Sequence, residues 1–489
     1  MEALQRLHNR GSISTGYDIE NSLKFETDNS EYLKAEGRSQ GDSQQTWTWS
    51  CWVKRTEVDN GVVAQYIFSA GSDGKLGLYF RDDSSSNGGD TIFIYVDEGN
   101  SLKWIGELRV SFRDTSAWYH IVFAVDSTDS TPADRTKIYI NGVQQTITFN
   151  STLNQNVSTR VGDNGGKFSI GAKMDGSYGF NGYMAECVLV DGSALGPTSF
   201  GETDSITGIW KPKDVSSLSL GTTGFHMNFD DSSNVGAVQS GTSQGNFDKY
   251  NLTAADQATD TPTNNFCTGN NLVRFTNPSS TVVVDGATFM QKGANGRETI
   301  SGTMYASSGK WYAEVQPIYP TGNNFLIGVM PSDSPIIYLG GQISNFPGSA
   351  SGDGGVSYIS TGNKYLDGGN SSYGNAYSSG GSVGPVIGIA LDMDNGKVYF
   401  SISNVWQNSG DPTSGATGTG AIDLPSPEKS YSFHASIYNS GNSVAINYGG
   451  YTYFTISSGE SDANGYGTFE YAPPSGYYAL CTKNLEEFG

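Results

Sequence analysis

The sequence predicts an all-β protein of two antiparallel β-sandwich (jelly-roll) domains joined by a polar linker, and three observations carry that expectation. Short apolar runs alternate with a period of two. Gly, Ser, Asn and Thr separate those runs as turn formers do. No convincing helical pattern lies between one run and the next. The 489 residues set a prior of two or three domains. Gly, at 64 residues, is about twice its average usage, and charged residues are 16% where about 25% is usual. Such a mix can mark disorder, but 28 Tyr, 23 Phe and 8 Trp supply enough apolar surface to offset chain entropy.

The elements follow in order. Residues 1–20 stand apart: Leu4 and Leu7 suit one side of a short helix, and Gly11 and Gly16 then break it. The segment reads as a frayed terminus or as an anchor on a larger assembly. Strands begin at Ser22–Phe25. The run TWTWSCWV (Thr46 to Val53) puts Trp47, Trp49 and Cys51 on one face and Trp52 on the other. Tyr66–Phe68, Leu76–Phe80, Thr91–Val96, Trp118–Val125 and Lys137–Ile140 continue the set, with Asn141-Gly142 as a hairpin turn. Phe168–Gly171, Tyr183–Val190 and Gly224–Phe229 complete the first domain, residues 21–232. Residues 233–274 are rich in Ser, Thr, Asn, Asp and Gly and read as a linker. A second domain, 275–489, holds strands at Thr281–Val284, Lys310–Val315, Phe325–Met330, Pro385–Met393, Lys397–Ile402, Tyr431–Tyr438 and Val444–Tyr448.

Charge and cysteine usage exclude several functions. A net charge of −21 repels nucleic-acid phosphates and anionic membranes. No apolar run reaches the roughly 18 residues a membrane helix needs. MEALQRLHNRGS has no apolar core of the kind a secretory signal carries. Cys51, Cys187, Cys267 and Cys481 show no metal spacing; the first two lie in strand-like runs and read as buried small hydrophobes. His8, His120, His226 and His434 are far apart in sequence, and His120 and His434 read as core histidines rather than ligands. No metal site and no cofactor is expected.

The runs WTWSCWVKR, WYHIVFAVD, KIYINGVQQ, FSIGA and FNGYMAECVLVDG resemble, in that order, a laminin-G-like, concanavalin A-type jelly roll over residues 21–232. SSGKWYAEV, FLIGVM, VIGIALDMDNGKVYFSI and YSFHASI resemble a SPRY-type sandwich over about 275–472. With TDTPTNNF between the two and PPSGYYALCTKNL at the end, the layout is similar to tail-fibre or virion-surface proteins of bacteriophages. That resemblance implies a homo-oligomer, such as a trimer, on the surface of a particle.

Catalytic chemistry finds little support. Asp392-Met393-Asp394-Asn395-Gly396 imitates the start of a calcium loop, but position twelve is Ser403 and the flanks are strands, so a hairpin turn is the better reading. The first-domain fold is shared with glucanases, which need paired carboxylates. Glu202-Thr203-Asp204 and Glu460-Ser461-Asp462 each lack the further Glu of the glucanase signature. Asp82, Asp83, Asp90, Asp126 and Asp129 suit a calcium-binding rim in type, and turn formation is the simpler account.

The stretch Gly348 to Gly384 is built of Gly, Ser, Asn and Tyr, the alphabet of adaptable binding loops. Tyr358, Tyr365, Tyr373 and Tyr377 are its expected aromatic anchors, with Asp353 and Asp367 as acceptors for sugar hydroxyls. The alternative is an insertion that packs its tyrosines on its own sandwich or a neighbouring subunit. The favoured expectation is a non-enzymatic virion-surface protein that recognises a host cell-surface glycan or protein through these loops and meets other virion proteins through its N-terminal segment. Deleting Gly348–Gly384 should then leave both domains folded. A structural virion component and a polysaccharide depolymerase are the alternatives, and a bacterial adhesin is a further one.

Overall fold

The computed structural model describes residues 16–58, 64–71, 76–81, 90–98, 101–241, 245–274, 281–318, 325–335, 345–377 and 383–489. The N-terminal anchor reading rests mostly on residues outside that set, as do His8, Asp82 and Asp83. The chain divides at Asn264/Asn265 into two compact units, each an antiparallel sandwich.

In the first unit a nine-stranded sheet runs Val143–Gln144, Thr136–Ile140, Trp118–Asp126, Thr46–Arg55, Gly182–Asp191, Ser22–Phe25 and Gln257–Ala258, and Phe225–Met227 and Ser240–Gly241 join it beside Gly182–Asp191. An eight-stranded sheet runs Ile147–Phe149, Ser101–Leu108, Thr91–Glu98, Leu76–Arg81, Gln65–Ala70, Gly166–Ile170, Tyr32–Arg38 and Asp248–Tyr250. Alternation along the strands sends one face inward. Trp47, Trp49, Cys51, Phe68, Phe80 and Phe123 meet in the core. Trp49 and Phe68 stack at 4.2 Å. Trp52 points to the other face and stacks on His120, as the period-two reading requires.

The expected linker, 233–274, is a correction: residues 265–274 belong to the second unit, where Gly269–Arg274 is a strand, and 233–264 belong to the first. That stretch is not a linker: Ser240–Gly241 and Gln257–Ala258 extend one sheet, and Asp248–Tyr250 the other. Its polar composition misleads because those strands sit at sheet edges, where Asp248, Lys249 and Tyr250 face solvent. Buried ion pairs hold the segment down. Asp256 pairs with Lys24 at 2.9 Å and Asp260 with Lys54 at 2.6 Å.

Residues 193–223 fold back over the outer face of the nine-stranded sheet. Phe200, Val215 and Leu220 pack on Val122, Val188 and Val190. The Trp210 ring occupies the space a side chain would need at Gly142 and Gly201. Its indole Nε1–H donates to His120 Nδ1 at 3.0 Å, so His120 Nε2 carries the proton and donates to Ser50 Oγ at 2.9 Å. A serine paired with a histidine suggests a nucleophile and its base. Here the tautomer points the proton the wrong way, and burial holds the imidazole neutral, with its pKa pushed down to about 3.

The second unit has a seven-stranded sheet of Gly269–Arg274, Glu298–Gly302, Tyr431–Ile437, Phe325–Pro331, Val356–Ile359, Asn363–Leu366 and Gly369–Ser372. The facing sheet centres on Ser443–Asn447, Lys310–Ile318, Ile387–Asp392 and Lys397–Ile402. The tail contributes Tyr478–Ala479, parallel to Lys310–Ile318, and a short helix, Thr482–Phe488. Glu314 lies fully buried on the central strand and accepts the Glu470 and Tyr471 amides at 2.8 Å each. Burial still raises its pKa from 4.5 to about 7. A raised carboxyl pKa favours folding below the unfolded value, and that contribution is lost as pH climbs through the folded one. The second sandwich should therefore lose about 3 kcal/mol from this group as pH rises from 4.5 to about 7. Urea midpoints across that range, compared with those of Glu314→Gln, check it: the variant should lack this slope, and an unchanged slope would refute the assignment.

Candidate functional site

The structure splits the six residues expected in the Gly348–Gly384 loop into three settings. Tyr358, Tyr373 and Tyr377 are buried in the second sandwich, where they cluster with Phe400. Their hydroxyls are spent on backbone carbonyls: Tyr358 on Asn375, Tyr373 on Gly420, and Tyr377 on Tyr358 and Phe325. Tyr365 is half-buried beside Leu326, Phe346 and Ile359. Asp353, 2% exposed, accepts the amides of Gly348, Ala350 and Gly355. Asp367 accepts the Gly352 amide at 2.8 Å and the Ser351 hydroxyl at 3.0 Å. Three of the four tyrosines are thus core residues and not surface anchors, and the two carboxylates brace one turn. The sequence misleads because three strands, Val356–Ile359, Asn363–Leu366 and Gly369–Ser372, run through the stretch. Gly362 and Gly368 make the turns between them at φ of 92° and 81°.

The acidic candidates also have structural partners. Asp90 is buried against Arg55 and Arg113. Asp126 and Asp129 cap turns through the Thr128 and Thr131 amides. Asp392 accepts the Asn395 amide and pairs with Lys310 on the neighbouring strand. Glu202 and Asp204 share Lys211, and Asp462 is buried on the amides of Asn464, Tyr466 and Ala479. Among the described residues, no three His, Cys, Asp or Glu side chains gather as a metal site would.

A different surface stands out on the outer face of the eight-stranded sheet. Strands Leu76–Arg81 and Thr91–Glu98 send Leu78, Phe80, Ile92 and Ile94 into the core, so Tyr79, Phe93 and Tyr95 point away from it. Cross-strand register sets Tyr66 opposite Tyr79 and Tyr79 opposite Phe93. Tyr66 and Tyr79 lie 4.5 Å apart at 12°, and Tyr79 and Tyr95 5.9 Å apart at 12°. Gly77 makes the arrangement fit: a Cβ there would meet the Tyr66 ring at 2.5 Å. Arg81 sits over Phe93 at 4.7 Å.

Tyr178 extends the row, 6.1 Å from Tyr66. It is 48% exposed and holds a left-handed φ of 56°, an unusual conformation for a bulky residue. Its carbonyl accepts the Tyr66 amide at 2.9 Å, which fixes the loop to the sheet. Burial lifts the Tyr66 phenol to about 12, so it stays a neutral donor and acceptor at ordinary pH. Cross-strand stacking stabilises a sheet by itself, and Tyr79 and Phe93, 5% and 2% exposed, serve that end. The half-buried Tyr66 and Tyr95 and the exposed Tyr178 are the rings of the row that stay open to solvent. Sequence reading missed this set, although its signal is there: aromatics fill the outward parity of consecutive strands where polar residues are usual.

Residues 27–198 match the family described as the concanavalin A-like lectin/glucanases superfamily, Laminin_G_3. No curated protein sequence matches the chain. Among solved structures, the SPRY domain of human HERC1 is 16% identical over 34% of this chain and 91% of its own, with a TM-score of 0.26. A SAP-like pentraxin from Limulus polyphemus is 18% identical over 37% of this chain and 80% of its own, with a TM-score of 0.27. A carbohydrate-binding protein (so assigned only provisionally) from Bacteroides ovatus is 17% identical over 48% of this chain and 58% of its own, at a TM-score of 0.33. The first sandwich thus carries, over residues 27–198, the sequence pattern of the concanavalin A-like lectin/glucanases superfamily.

Proposed function

We propose that this chain is a non-enzymatic binding protein whose first sandwich recognises a surface glycan through Tyr66, Tyr95 and Tyr178. One observation carries the reading: a row of outward aromatic rings, one of them strained and exposed, on a sandwich matched to a lectin and glucanase family. Rings of this kind offer an apolar face to the C–H side of a sugar and a phenol to its hydroxyls. Of the carboxylates that a glucanase would recruit, Glu202 and Asp204 share Lys211, and Asp462 is buried on backbone amides beside an exposed Glu460.

The finer reading is placement on a virion, a bacteriophage tail or capsid fibre component that meets a host cell surface. The two-sandwich layout and the runs TDTPTNNF and PPSGYYALCTKNL support it by resemblance. Weak contacts at one site would be multiplied by symmetric copies.

The test is glycan-array binding followed by titration of the best ligand. Tyr178→Ala should weaken binding about tenfold, the loss of roughly 1.4 kcal/mol, with an unchanged unfolding midpoint because the ring is exposed. Equal binding by wild type and variant would defeat the site. Release of reducing ends from the bound glycan would defeat the non-enzymatic reading, and absence of the chain from purified particles the virion one.

A further inference from the structure

The pairing of Thr46–Arg55 with Gly182–Asp191 slips at one point. Ala185 pairs with Trp52 and Val188 with Ser50, so Glu186 and Cys187 together face Cys51. This is a β-bulge, and Glu186 takes it up with a φ of 49°. Its effect is to reset the parity of the strand: regular alternation from Met184 would turn Glu186 inward and Cys187 outward. Glu186 goes to the outer face, where it meets His226 Nε2 at 2.7 Å and the Tyr17 hydroxyl at 3.1 Å. Cys187 goes to the core, where its Sγ lies 3.1 Å from that of Cys51.

We propose that Cys51 and Cys187 form a modification site, a cross-strand pair that a small disulfide such as oxidised glutathione converts to an intramolecular disulfide. One cysteine thiolate attacks a glutathione sulfur and releases the first glutathione thiolate. The second cysteine thiolate attacks the mixed disulfide and releases the other. The S–S bond of the oxidant breaks, the S–S bond of the protein forms, and the two thiol protons end on the two glutathiones. A disulfide needs the sulfurs about 2.05 Å apart, about 1 Å closer than here, a change within reach of side-chain torsions.

The simpler account is two buried hydrophobes, each a weak donor, and the Cys51 thiol does reach the Trp52 carbonyl at 3.2 Å. That account explains burial but not why a bulge turns Cys187 onto a second sulfur. Both side chains are fully buried, and burial together with its neighbour pushes the Cys187 thiol up, so Cys187 stays protonated in the folded chain and both sulfurs are shielded from solvent. Exchange therefore proceeds as the chain folds or when the sheet opens. Once made, the link joins positions 136 residues apart, a long loop whose closure constrains the unfolded chain.

The full chain is refolded with oxidised glutathione, quenched with an alkylating agent and mapped by peptide mass spectrometry, beside native chain incubated with the same oxidant at rising temperature. The expected result is a peptide linking Cys51 to Cys187, with Cys267 and Cys481 alkylated. Thermal midpoint should fall on adding reductant to the oxidised protein and stay constant in Cys51→Ala. Alkylation of all four cysteines in both arms, or linkage spread at random among them, would overturn the proposal.

Discussion

Replacing Asp260 with alanine is expected to strip the first sandwich of a large share of its stability, about 3–5 kcal/mol. Asp260 closes the segment 252–264 over the nine-stranded sheet. One carboxylate oxygen takes the Lys54 ammonium at 2.6 Å and the other takes the Trp118 indole at 3.0 Å. Its carbonyl accepts the Ser22 hydroxyl at 2.6 Å. Lys54 and Asp260 are at most 1% exposed, so the pair sits away from water. A buried pair is weak evidence of net stability, because both charges lose hydration. Removing one partner is another matter, since the ammonium stays behind without its carboxylate. The cost is about 3–5 kcal/mol, against a whole-domain stability of roughly 5–15 kcal/mol. Urea unfolding followed by Trp118 and its neighbours should show the midpoint collapse, and Lys54→Met with Asp260→Leu should recover much of it. A loss below about 1 kcal/mol would mean that the segment 252–264 is dispensable. A chain ended at residue 232 should for the same reason fail to fold.

Tyr358→Ala should cost the second sandwich about 3–5 kcal/mol, the usual range for a large aromatic removed from a core. Tyr373, Tyr377 and Phe400 all lie within 5.4 Å of its ring by centroid, and nothing in so tight a cluster can fill the gap. Tyr358→Phe keeps the packing and loses only the bond to the Asn375 carbonyl, so it should cost about 1–3 kcal/mol. Thermal melts of the two variants separate packing from hydrogen bonding. Deleting Gly348–Gly384 removes the same cluster and three strands, so it is expected to unfold the second sandwich, contrary to the sequence expectation. An intact melt of that deletion would restore the loop reading.

Much of the architecture was readable because strands with one buried face announce themselves by alternation. TWTWSCWV, WYHIVFAV and KVYFSI became strands with little change of boundary. The strands that escaped notice carry weaker patterns. Tyr32–Arg38 includes Gly37 and charged residues on its solvent side, and Gly369–Ser372 has no apolar residue at all. What failed was reading function from composition. A run of Tyr, Gly, Ser and Asn says nothing about which tyrosines turn inward, because a glycine turn can reset the parity of each strand. The outward aromatics Tyr79 and Tyr95 were masked in the opposite way: an apolar neighbour on each side makes the whole strand look like core. Lys54 and Asp260 lie far apart in the chain, and no local pattern couples them.

The slip at Glu186 sets a rule for how this protein can change. Downstream of it, Leu189 faces inward and Val190 outward only because two residues are spent where one would do. A lineage that lost one codon there would turn Leu189 outward and thrust Val190 into the interior. Substitution at that site is tolerated only by residues at ease with a left-handed backbone, glycine and asparagine first. Homologues should therefore vary in side chain at this position while never varying in length across it.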